Sequence, residues 1–361
     1  MVDRLAEQVH PRDETLSAFR KVPRHLFLPD VDLDRVYSGS AIPTKHDGKG
    51  SPISSSSEVA IMALMIDALR LEPGQHVLEI GAGTGYNAAL LAEIVGVENV
   101  VTLDIDPEIA NEARAHLRAA GFEAVRVEAA DGWMGWSDSA PYARLELTAS
   151  TSDISPHWVD QLEDGGVLVA PLLLRPNAQA VVAFRKRGET LESLSVFPGG
   201  FMSLRGVAAA GDLARDLGPW QVSSSRKLDD DRLLALLQEK PSLELAEPVS
   251  WSDLALLAIA DENSLALSRK GSPAYANGIV SDDGRSLAFA EWTGGVLSPR
   301  LLLVSYGGPE ALDRLRRRID EVRGRAWKGL RVVVARTGNT RPEGDVVFER
   351  EYYTFAVSTK R

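Results

Sequence analysis

A short apolar segment that leads into a glycine-rich turn constrains the fold more than any other feature of this chain. "HVLEI" at 76–80 is typical of a buried strand, and "GAGTG" at 81–85 follows it directly. The next residues, "YNAALLAEIV", predict a helix that ends at Gly96. Glycines let the backbone approach a ligand closely, and the start of a helix offers free N–H groups. The motif therefore predicts a strand–turn–helix unit that binds a ligand, although many such turns carry glycine for packing alone.

Strands and helices alternate after this unit. "NVVTLDI", "AVRVEAAD", "YARLELTAS" and "GGVLVAPLLL" predict strands, and "DPEIANEARAHLRAAG" and "SPHWVDQLED" predict helices between them. The first of these helices is well delimited, because Asp106 suits its N-cap, Pro107 its first turn and Gly121 its end. Two further strands are predicted at 181–186 and 191–198. The alternation indicates an α/β fold with a mostly parallel sheet and right-handed crossovers.

The length of 361 residues predicts two domains. Beyond about residue 206 the alternation stops, so we expect a helical segment with an acceptor loop over 1–75, a core over 76–206 and a smaller α/β domain over 207–361. The candidate elements of that C-terminal domain are helices at 229–238 and 309–323 and strands at 301–305, 331–335 and 352–358.

Three acidic residues mark the ends of the first three strands of the alternation. Glu79 precedes the glycine turn, Asp104 follows 21 residues after Gly83, and Asp131 ends the third strand. Open α/β sheets bind ligands at the carboxyl ends of their strands, and an acid after the second strand is placed to accept both ribose hydroxyls. Asp131 is placed to accept from an adenine amino group. Helix capping by Asp106 and Asp131 is the structural alternative, and it leaves part of this pattern unexplained.

These residues resemble a known family. The segments "FRKVPRHLFLP", "VLEIGAGTGYNAALLAEIVG", "DIDPEIA", "ADGWMGW", "APY" and "QLEDGGVLVAP" are similar to those of protein-L-isoaspartate O-methyltransferases over about 16–206. The resemblance implies a Rossmann-like, seven-stranded class I methyltransferase sheet and the cofactor S-adenosyl-L-methionine. It implies that Asp104 holds the ribose and that Asp131 lies by the adenine. The other cofactor-binding residues that it implies are Glu79, Gly81, Gly83, Thr84, Gly85, Ile105, Gly132 and Thr148.

Four consecutive serines precede the apolar run "EVAIMALMIDAL", which predicts a helix from about Glu58. The segment before it, "GSAIPTKHDGKGSPI", has the composition of a loop. Ser56 or Ser57 alone would suffice as N-cap, so most of the hydroxyls are surplus to the structural need. In the family this segment resembles "T-I-S-x-P", with its serine near the acceptor carboxylate, and Ile53 and Ser54 fall on the I-S pair. A solvated loop with one cap is the simpler alternative.

The resemblance assigns the acceptor side of the reaction to this segment. Ser54, Ser55, Ser56 and Ser57 are the candidate catalytic residues, since hydroxyls would position a peptide carboxylate without adding a competing charge. Ile53 and His46 are candidate substrate-binding residues. A carboxylate is already ionised at neutral pH, so its methylation needs alignment and exclusion of water more than a general base.

Several features favour a narrower hypothesis. "TASTSD" and "YAR" depart from the family pattern, and 155 residues follow position 206 that ordinary repair enzymes lack. The segments "TKHDG" with "SSSS", "GAGTGYN" and "GGFMSLRG" instead resemble longer methyltransferases that act on ribosomally synthesised, modified peptides such as lanthipeptides, lasso peptides and graspetides. Those esterify one aspartate of a precursor peptide, which leads to an aspartimide and then to isoaspartate. In "DRLRRRIDEVRGRAWKGLR", the side chains of Arg316, Arg317 and Arg318 would steer an acidic peptide, or would pair with Asp320 and Glu321 on a solvated helix.

Three other functions remain open at this point. General repair of isoaspartyl residues has the same fold and cofactor and a broad substrate. A non-catalytic scaffold would keep the cofactor pocket alone. A nicotinamide dehydrogenase predicts G-x-G-x-x-G, whereas Tyr86 and Asn87 lie where its third glycine would be.

Composition excludes several classes of function. With 40 basic and 51 acidic residues the net charge is -11, which disfavours a nucleic-acid partner. The absence of cysteine removes disulfides, thiol nucleophiles and cysteine-bound zinc, and the six histidines lack the spacing of a metal site. The N-terminus lacks a signal-peptide pattern, and no apolar run is long enough to span a membrane. We therefore expect a cytoplasmic protein without metal, membrane or nucleic-acid partners, which acts on a precursor peptide or an isoaspartyl peptide.

Overall fold

The computed structural model describes residues 1–176, 178–207, 214–224, 226–270, 276–293, 300–323 and 327–359. The N-terminal segment packs helices against the glycine-turn unit, and a two-stranded hairpin lies where the sequence predicts a loop. The helix that begins at Asp13 ends at Lys21, because Pro23 interrupts it and a short 3-10 turn follows. The elements are α1 (Val2–Val9), α2 (Asp13–Lys21), α3 (Leu33–Val36), β1 (Ile42–His46), β2 (Pro52–Ser56) and α4 (Val59–Leu69).

The predicted alternation of strands and helices is present in the central part of the chain. Asp106 caps its helix by accepting from the backbone N–H groups of Glu108 and Ile109, and Gly121 has a φ of 82° just beyond the helix end. The elements are β3 (Val77–Ile80), α5 (Tyr86–Val95), β4 (Val100–Asp104), α6 (Pro107–Ala119), β5 (Arg126–Ala129), β6 (Tyr142–Leu147), α7 (Pro156–Gln161), β7 (Leu162–Arg175), β8 (Ala178–Arg187) and β9 (Thr190–Pro198).

The C-terminal part contains more strands than the sequence predicts. Its elements are β10 (Ala214–Leu217), β11 (Trp220–Ser224), α8 (Asp230–Gln238), β12 (Ser242–Ala246), α9 (Trp251–Ala260), β13 (Ser264–Arg269), β14 (Ala276–Val280), β15 (Ser286–Thr293), β16 (Arg300–Gly307), α10 (Glu310–Val322), β17 (Leu330–Arg336), β18 (Val346–Glu349) and β19 (Tyr353–Thr359).

The large sheet has ten strands in the order β18-β19-β17-β9-β8-β7-β6-β3-β4-β5. The five strands from β5 to β7 are parallel, whereas β8, β9 and the three C-terminal strands pair antiparallel. The sheet is therefore mixed, and it is less parallel than predicted. The strands from β17 to β19 extend it beyond β9, so the last part of the chain returns to the core sheet.

The second sheet has seven antiparallel strands in the order β10-β11-β13-β14-β15-β16-β12. Helix α9 contacts strands of both sheets, since it packs against β7, β8 and β19 on one side and β13 and β14 on the other. Its sequence is apolar on all sides, with Leu254, Leu257 and Ile259 fully buried, which is typical of a helix between two layers. The chain leaves the large sheet after 206, forms the second sheet with β10 to β16, and returns to the large sheet with β17 to β19. The boundary predicted at 206 therefore marks only the first of these two transitions.

Among the described residues, no helix combines the length and hydrophobicity that crossing a membrane requires.

Candidate active site

A cleft of about 340 Å³ opens at the carboxyl ends of β3 and β4, where the sheet topology predicts a ligand. The hairpin strand β2 forms one wall, the glycine turn forms the floor, and residues 198–205 after β9 form the opposite side. Ten of the residues predicted for the site line this cleft: Ile53, Ser54, Ser55, Ser57, Gly81, Gly83, Asp104, Ile105, Gly132 and Thr148.

The three glycines of the turn are required for different reasons. Gly81 has a φ of 106°, and a Cβ there would lie 2.2 Å from Oγ1 of Thr148, which donates to the Gly81 carbonyl at 2.7 Å. A Cβ on Gly83 would meet only ordinary contacts with the serine strand, so this residue faces open cleft. Gly85 packs against α6, where a Cβ would approach the carbonyl of Ala113 at 3.1 Å. Gly85 is therefore a packing glycine and does not line the cleft.

Asp104 ends β4 with its carboxylate at the cleft. One oxygen accepts from the backbone N–H of Gly83 at 3.2 Å and the other from that of Asp106 at 3.0 Å. The residue is only 8% exposed, and burial raises the pKa of its carboxyl above the ordinary value. Each carboxylate oxygen can accept more than one hydrogen bond, so both retain capacity for ribose hydroxyls. The position fits the nucleoside part of S-adenosyl-L-methionine.

Asp131 does not line the cleft, although its neighbour Gly132 does, so its place by the adenine stays a prediction. Its carboxylate accepts from the backbone N–H of Trp133 at 2.9 Å and of Val207 at 2.8 Å. Gly206 lies against it with a φ of 101°, and a Cβ on Gly206 would be 2.3 Å from the Asp131 carboxylate. Asp131 therefore caps a short turn, which is the structural role considered in the sequence analysis. It also anchors the segment after Leu204 through Val207.

Glu79 differs from its prediction. The side chain is 0% exposed and lies beneath the glycine turn, where it accepts from Thr102 Oγ1 at 2.5 Å and from Asn87 Nδ2 at 2.7 Å. The same amide nitrogen donates to Glu146 at 2.8 Å, so Asn87 bridges two buried carboxyl groups. Burial raises the pKa of Glu79 to about 7 and that of Glu146 to about 8. Thr84 lies over this region rather than at the main cleft.

Two buried contacts hold the serine strand in place. Arg24, which is fully buried, donates to Oγ of Ser56 at 3.1 Å and to the carbonyl of Ser57 at 2.9 Å. Ser54 Oγ accepts from Thr44 Oγ1 at 3.1 Å within the hairpin. Glu58 is the N-cap of α4 and makes no side-chain cap bond, so the serines do not cap that helix. Ser54, Ser55 and Ser57 face the cleft, whereas Ser56 is committed to Arg24.

The remaining predicted substrate residues lie elsewhere. His46 is exposed at the end of β1 and does not line the cleft. Arg316 pairs with Glu244 and Asp313, and Arg318 pairs with Asp261 and Glu321, all within the C-terminal part. Arg317 is exposed on the same helix, α10, and none of the three lines the cleft. The part of that basic stretch at 324–326 lies outside the described residues.

Sequence reasoning missed several residues at the site. Asn87 and Glu146 form the buried polar pair beneath the turn, and the sequence signal was an acid inside the apolar strand "RLELT". Phe201 and Arg205 line the cleft from "GGFMSLRG". That segment is rich in glycine but follows an ordinary strand, so nothing in its pattern alone placed it opposite the serines.

Comparisons with known proteins found a family and relatives that are similar to the first part of this chain. The family model of Protein-L-isoaspartate(D-aspartate) O-methyltransferase (PCMT) matches residues 1–204. Protein-L-isoaspartate O-methyltransferase 1 of Archaeoglobus fulgidus is 39% identical over 173 residues, which cover 48% of this chain and 77% of that protein. Protein-L-isoaspartate O-methyltransferase 2 of a Polaromonas species is 35% identical over 195 residues, which cover 54% of this chain and 89% of that protein.

A solved structure extends the likeness in fold to the C-terminal part. The structure described as a protein-L-isoaspartate O-methyltransferase aligns with a TM-score of 0.56 and 22% sequence identity. The alignment covers 99% of this chain and 99% of that chain, so the added sheet also has a counterpart there.

Proposed function

Because the chain belongs to the protein-L-isoaspartate(D-aspartate) O-methyltransferase family, whose members are S-adenosyl-L-methionine-dependent carboxyl O-methyltransferases, we propose that it methylates the free carboxylate of isoaspartyl residues in proteins and peptides. The observation that carries the proposal is the single cleft in which the hydroxyls of Ser54, Ser55 and Ser57 face the glycine turn and Asp104. One side of this cleft suits a nucleoside, and the serine side offers hydroxyls to a carboxylate.

The chain's own residues supply position rather than acid–base chemistry. The cofactor, when bound, supplies an electrophilic methyl group on a sulfonium. Asp104 accepts from the ribose, and Gly81 and Gly83 let the backbone approach the bound group closely. The serine hydroxyls donate to the acceptor carboxylate and align it, while Phe201 and Ile53 exclude water. Since the acceptor is ionised at neutral pH, the reaction needs no general base from this cleft.

A dedicated peptide-modifying enzyme is the narrower hypothesis. It would esterify one aspartate of a precursor peptide and lead to an aspartimide, and it rested on the serine run and on the length of the chain. A solved chain that aligns over its whole length is described as a protein-L-isoaspartate O-methyltransferase, so length alone does not favour the narrower substrate. General repair is therefore our first proposal, and modification of a precursor peptide is the alternative.

Mass spectrometry with matched acceptors tests the proposal. The protein would be incubated with S-adenosyl-L-methionine and either an isoaspartyl peptide or the same peptide with ordinary aspartate. We expect methylation of the isoaspartyl peptide alone, followed by loss of methanol as the succinimide closes. Any short acidic peptide encoded beside this protein is the third acceptor.

Each other outcome has a distinct meaning. Methylation confined to the encoded peptide would replace general repair with the narrower hypothesis. Binding of S-adenosylhomocysteine without methylation of any acceptor would favour a scaffold. The variant Asp104→Asn serves as control, because its loss of methylation at low cofactor concentration ties the signal to this cleft.

A further inference from the structure

A second, smaller cavity of about 30 Å³ lies beneath the glycine turn. Ser55, Ser57, Gly81, Gly83 and Thr148 border both this cavity and the main cleft, so the small cavity is a recess that adjoins the cleft. A space of this size holds one water-sized group and is too small for an aromatic ring.

Three residues that line the recess carry polar atoms without a hydrogen-bond partner in the part of the chain that the structure describes. The atoms are Oε1 of Glu146, Oδ1 of Asn87 and the hydroxyl oxygen of Tyr86. All three residues are more than nine-tenths buried. A buried polar atom without a partner is unfavourable, so sites of this kind are usually filled by a water or a ligand group.

The chemistry of these atoms selects the occupant. Asn87 Nδ2 donates to both Glu79 and Glu146, which fixes the orientation of the amide and leaves Oδ1 as an acceptor only. An ionised Glu146 Oε1 is also an acceptor only, and the Tyr86 hydroxyl accepts as well as donates. A group with three N–H bonds suits a site with such acceptors. A carboxylate would find one donor there, from Tyr86.

The charged groups around the recess favour a cation. Glu79 faces Glu146 from β3, and Thr102 on β4 donates to Glu79, with Asp104 adding a further negative charge from the end of β4. Helix α4 contributes the apolar Met62 and Met65. On the far side of Tyr86, the guanidinium of Arg24 lies 5.8 Å from its ring centroid. Burial raises the pKa values of both glutamates, and the pKa is raised further by the charge of Asp104 for Glu79 and by that of Glu79 for Glu146. Protons held there in the free protein would be displaced by a cation.

We infer that Glu146, together with Asn87 and Tyr86, binds the α-ammonium group at the amino-acid end of the cofactor. The inference rests on the cofactor binding that the proposed function requires, and it assigns a contact that the glycine turn and Asp104 do not supply. Glu146 is a binding residue on this account, and a trapped water is the competing occupant.

Calorimetric titration with two ligands tests the inference. S-adenosylhomocysteine carries the ammonium group, and its des-amino analogue lacks only that group. We expect the wild type to prefer S-adenosylhomocysteine by roughly tenfold or more, as for a charge-assisted hydrogen bond. Glu146→Gln should bring the two affinities close together while leaving the affinity for the des-amino analogue nearly unchanged. Glu98→Gln, at an exposed position before β4, is the matched control and should keep the wild-type preference.

Proton release provides a second readout. Near neutral pH, titrations in buffers of different ionisation enthalpy should show protons released when the wild type binds S-adenosylhomocysteine and fewer when it binds the des-amino analogue. Glu146→Gln should abolish that difference. Should this variant fail to fold by circular dichroism, Tyr86→Phe removes one hydroxyl and should reduce the preference by a smaller factor.

Two results would overturn the inference, and they are distinguishable. An equal preference for S-adenosylhomocysteine in the wild type and in the Glu146 or Tyr86 variant would leave water as the occupant, with the proposed function intact. Binding of neither ligand by the folded wild type would remove the inference and the proposed function together.

Discussion

The guanidinium Nη2 of Arg205 lies 3.6 Å from Oδ1 of Asp104, inside the cleft that Asp104 shares with the glycine turn. The other terminal nitrogen of Arg205 lies 3.9 Å from Asp106. Val207, two residues further along the chain, donates its backbone N–H to Asp131. The segment after Leu204 is therefore held across the acidic edge of the sheet, and its arginine lies beside the carboxylate that would accept the ribose hydroxyls.

Replacement of Arg205 should strengthen cofactor binding. Arg205→Ala removes the cation that competes for Asp104, and because the arginine side chain is 39% exposed we expect a gain of at most about 1 kcal/mol, or roughly fivefold in affinity. Calorimetry with S-adenosylhomocysteine at low and high salt checks this, since salt should tighten binding by the wild type and leave the variant nearly unchanged. Arg205→Lys retains the charge and is the control. Weaker binding by Arg205→Ala would mean that the arginine contacts the cofactor instead.

Asp104→Asn should weaken binding of S-adenosylhomocysteine. The substitution keeps the size of the side chain and removes a charge-assisted hydrogen bond to the ribose, which is worth about 1.5–3 kcal/mol, or roughly ten- to hundredfold in affinity. Isothermal titration measures the change. Glu98→Gln, at the opposite end of β4, removes a carboxylate of the same strand region and should bind as the wild type does. An unchanged affinity in Asp104→Asn would show that the ribose lies elsewhere.

The sequence predicted the elements of the methyltransferase core well because each has a local signal. Asp106, Pro107 and Gly121 delimit α6, and the apolar strands β3 and β4 are buried on both faces as their composition indicates. The hairpin of β1 and β2 was missed because its residues have loop composition. Its position depends on Arg24 and on Lys45, whose Nζ lies 2.8 Å from Asp106, and such distant partners leave no periodic signal.

The residues of the site were predicted less evenly for the same reason. Asp104 lies at the cleft as expected, because the carboxyl ends of parallel strands meet at one edge of the sheet. Glu79 was misplaced, since a side chain in a fully buried strand faces either the cleft or the layer below it. Asn87 decides the outcome by donating to Glu79 and Glu146 together, and that pairing joins α5 to two strands. In the C-terminal part, most strands lack helices between them, so the alternation that located the core was absent.

Glu146→Gln should change how stability depends on pH. Burial raises the pKa of Glu146 from an ordinary 4.5 to about 8, so the folded state binds this proton more tightly than the unfolded state does. The free energy of unfolding of the wild type therefore falls as pH rises through this interval, by about 1.4 kcal/mol for each unit of pKa difference. The variant lacks this loss, so its stability relative to the wild type should rise from about pH 5 to about pH 8 and then level off.

Urea unfolding at several pH values measures this difference. The control is Glu98→Gln, which removes an exposed carboxyl and should change stability by less than about 0.5 kcal/mol. A pH-independent difference for Glu146→Gln would show that Glu146 ionises normally in the folded protein.

Arg318→Ala should lower stability without impairing recognition of the peptide. Asp261 is fully buried, and one of its oxygens accepts from Arg314 at 2.8 Å and from Arg318 at 2.9 Å. Loss of one guanidinium leaves a buried carboxylate with a single cationic partner, which we expect to cost about 1–3 kcal/mol. Urea unfolding checks the cost, and Arg317→Ala, the exposed neighbour on α10, should change stability by less than about 0.5 kcal/mol.

The kinetics of the same two variants decide between a structural and a steering role for α10. Because Arg318 is committed to Asp261 and Glu321 and does not line the cleft, the folded Arg318→Ala variant should keep the wild-type KM for an acidic isoaspartyl peptide. If α10 steers the peptide electrostatically, removal of the arginine should instead raise KM at low salt, and this effect should disappear at high salt. A rise in KM with unchanged stability in Arg318→Ala would therefore favour α10 as a peptide-recognition surface. Arg317→Ala should then raise KM more, because Arg317 is exposed and makes no ion pair among the described residues.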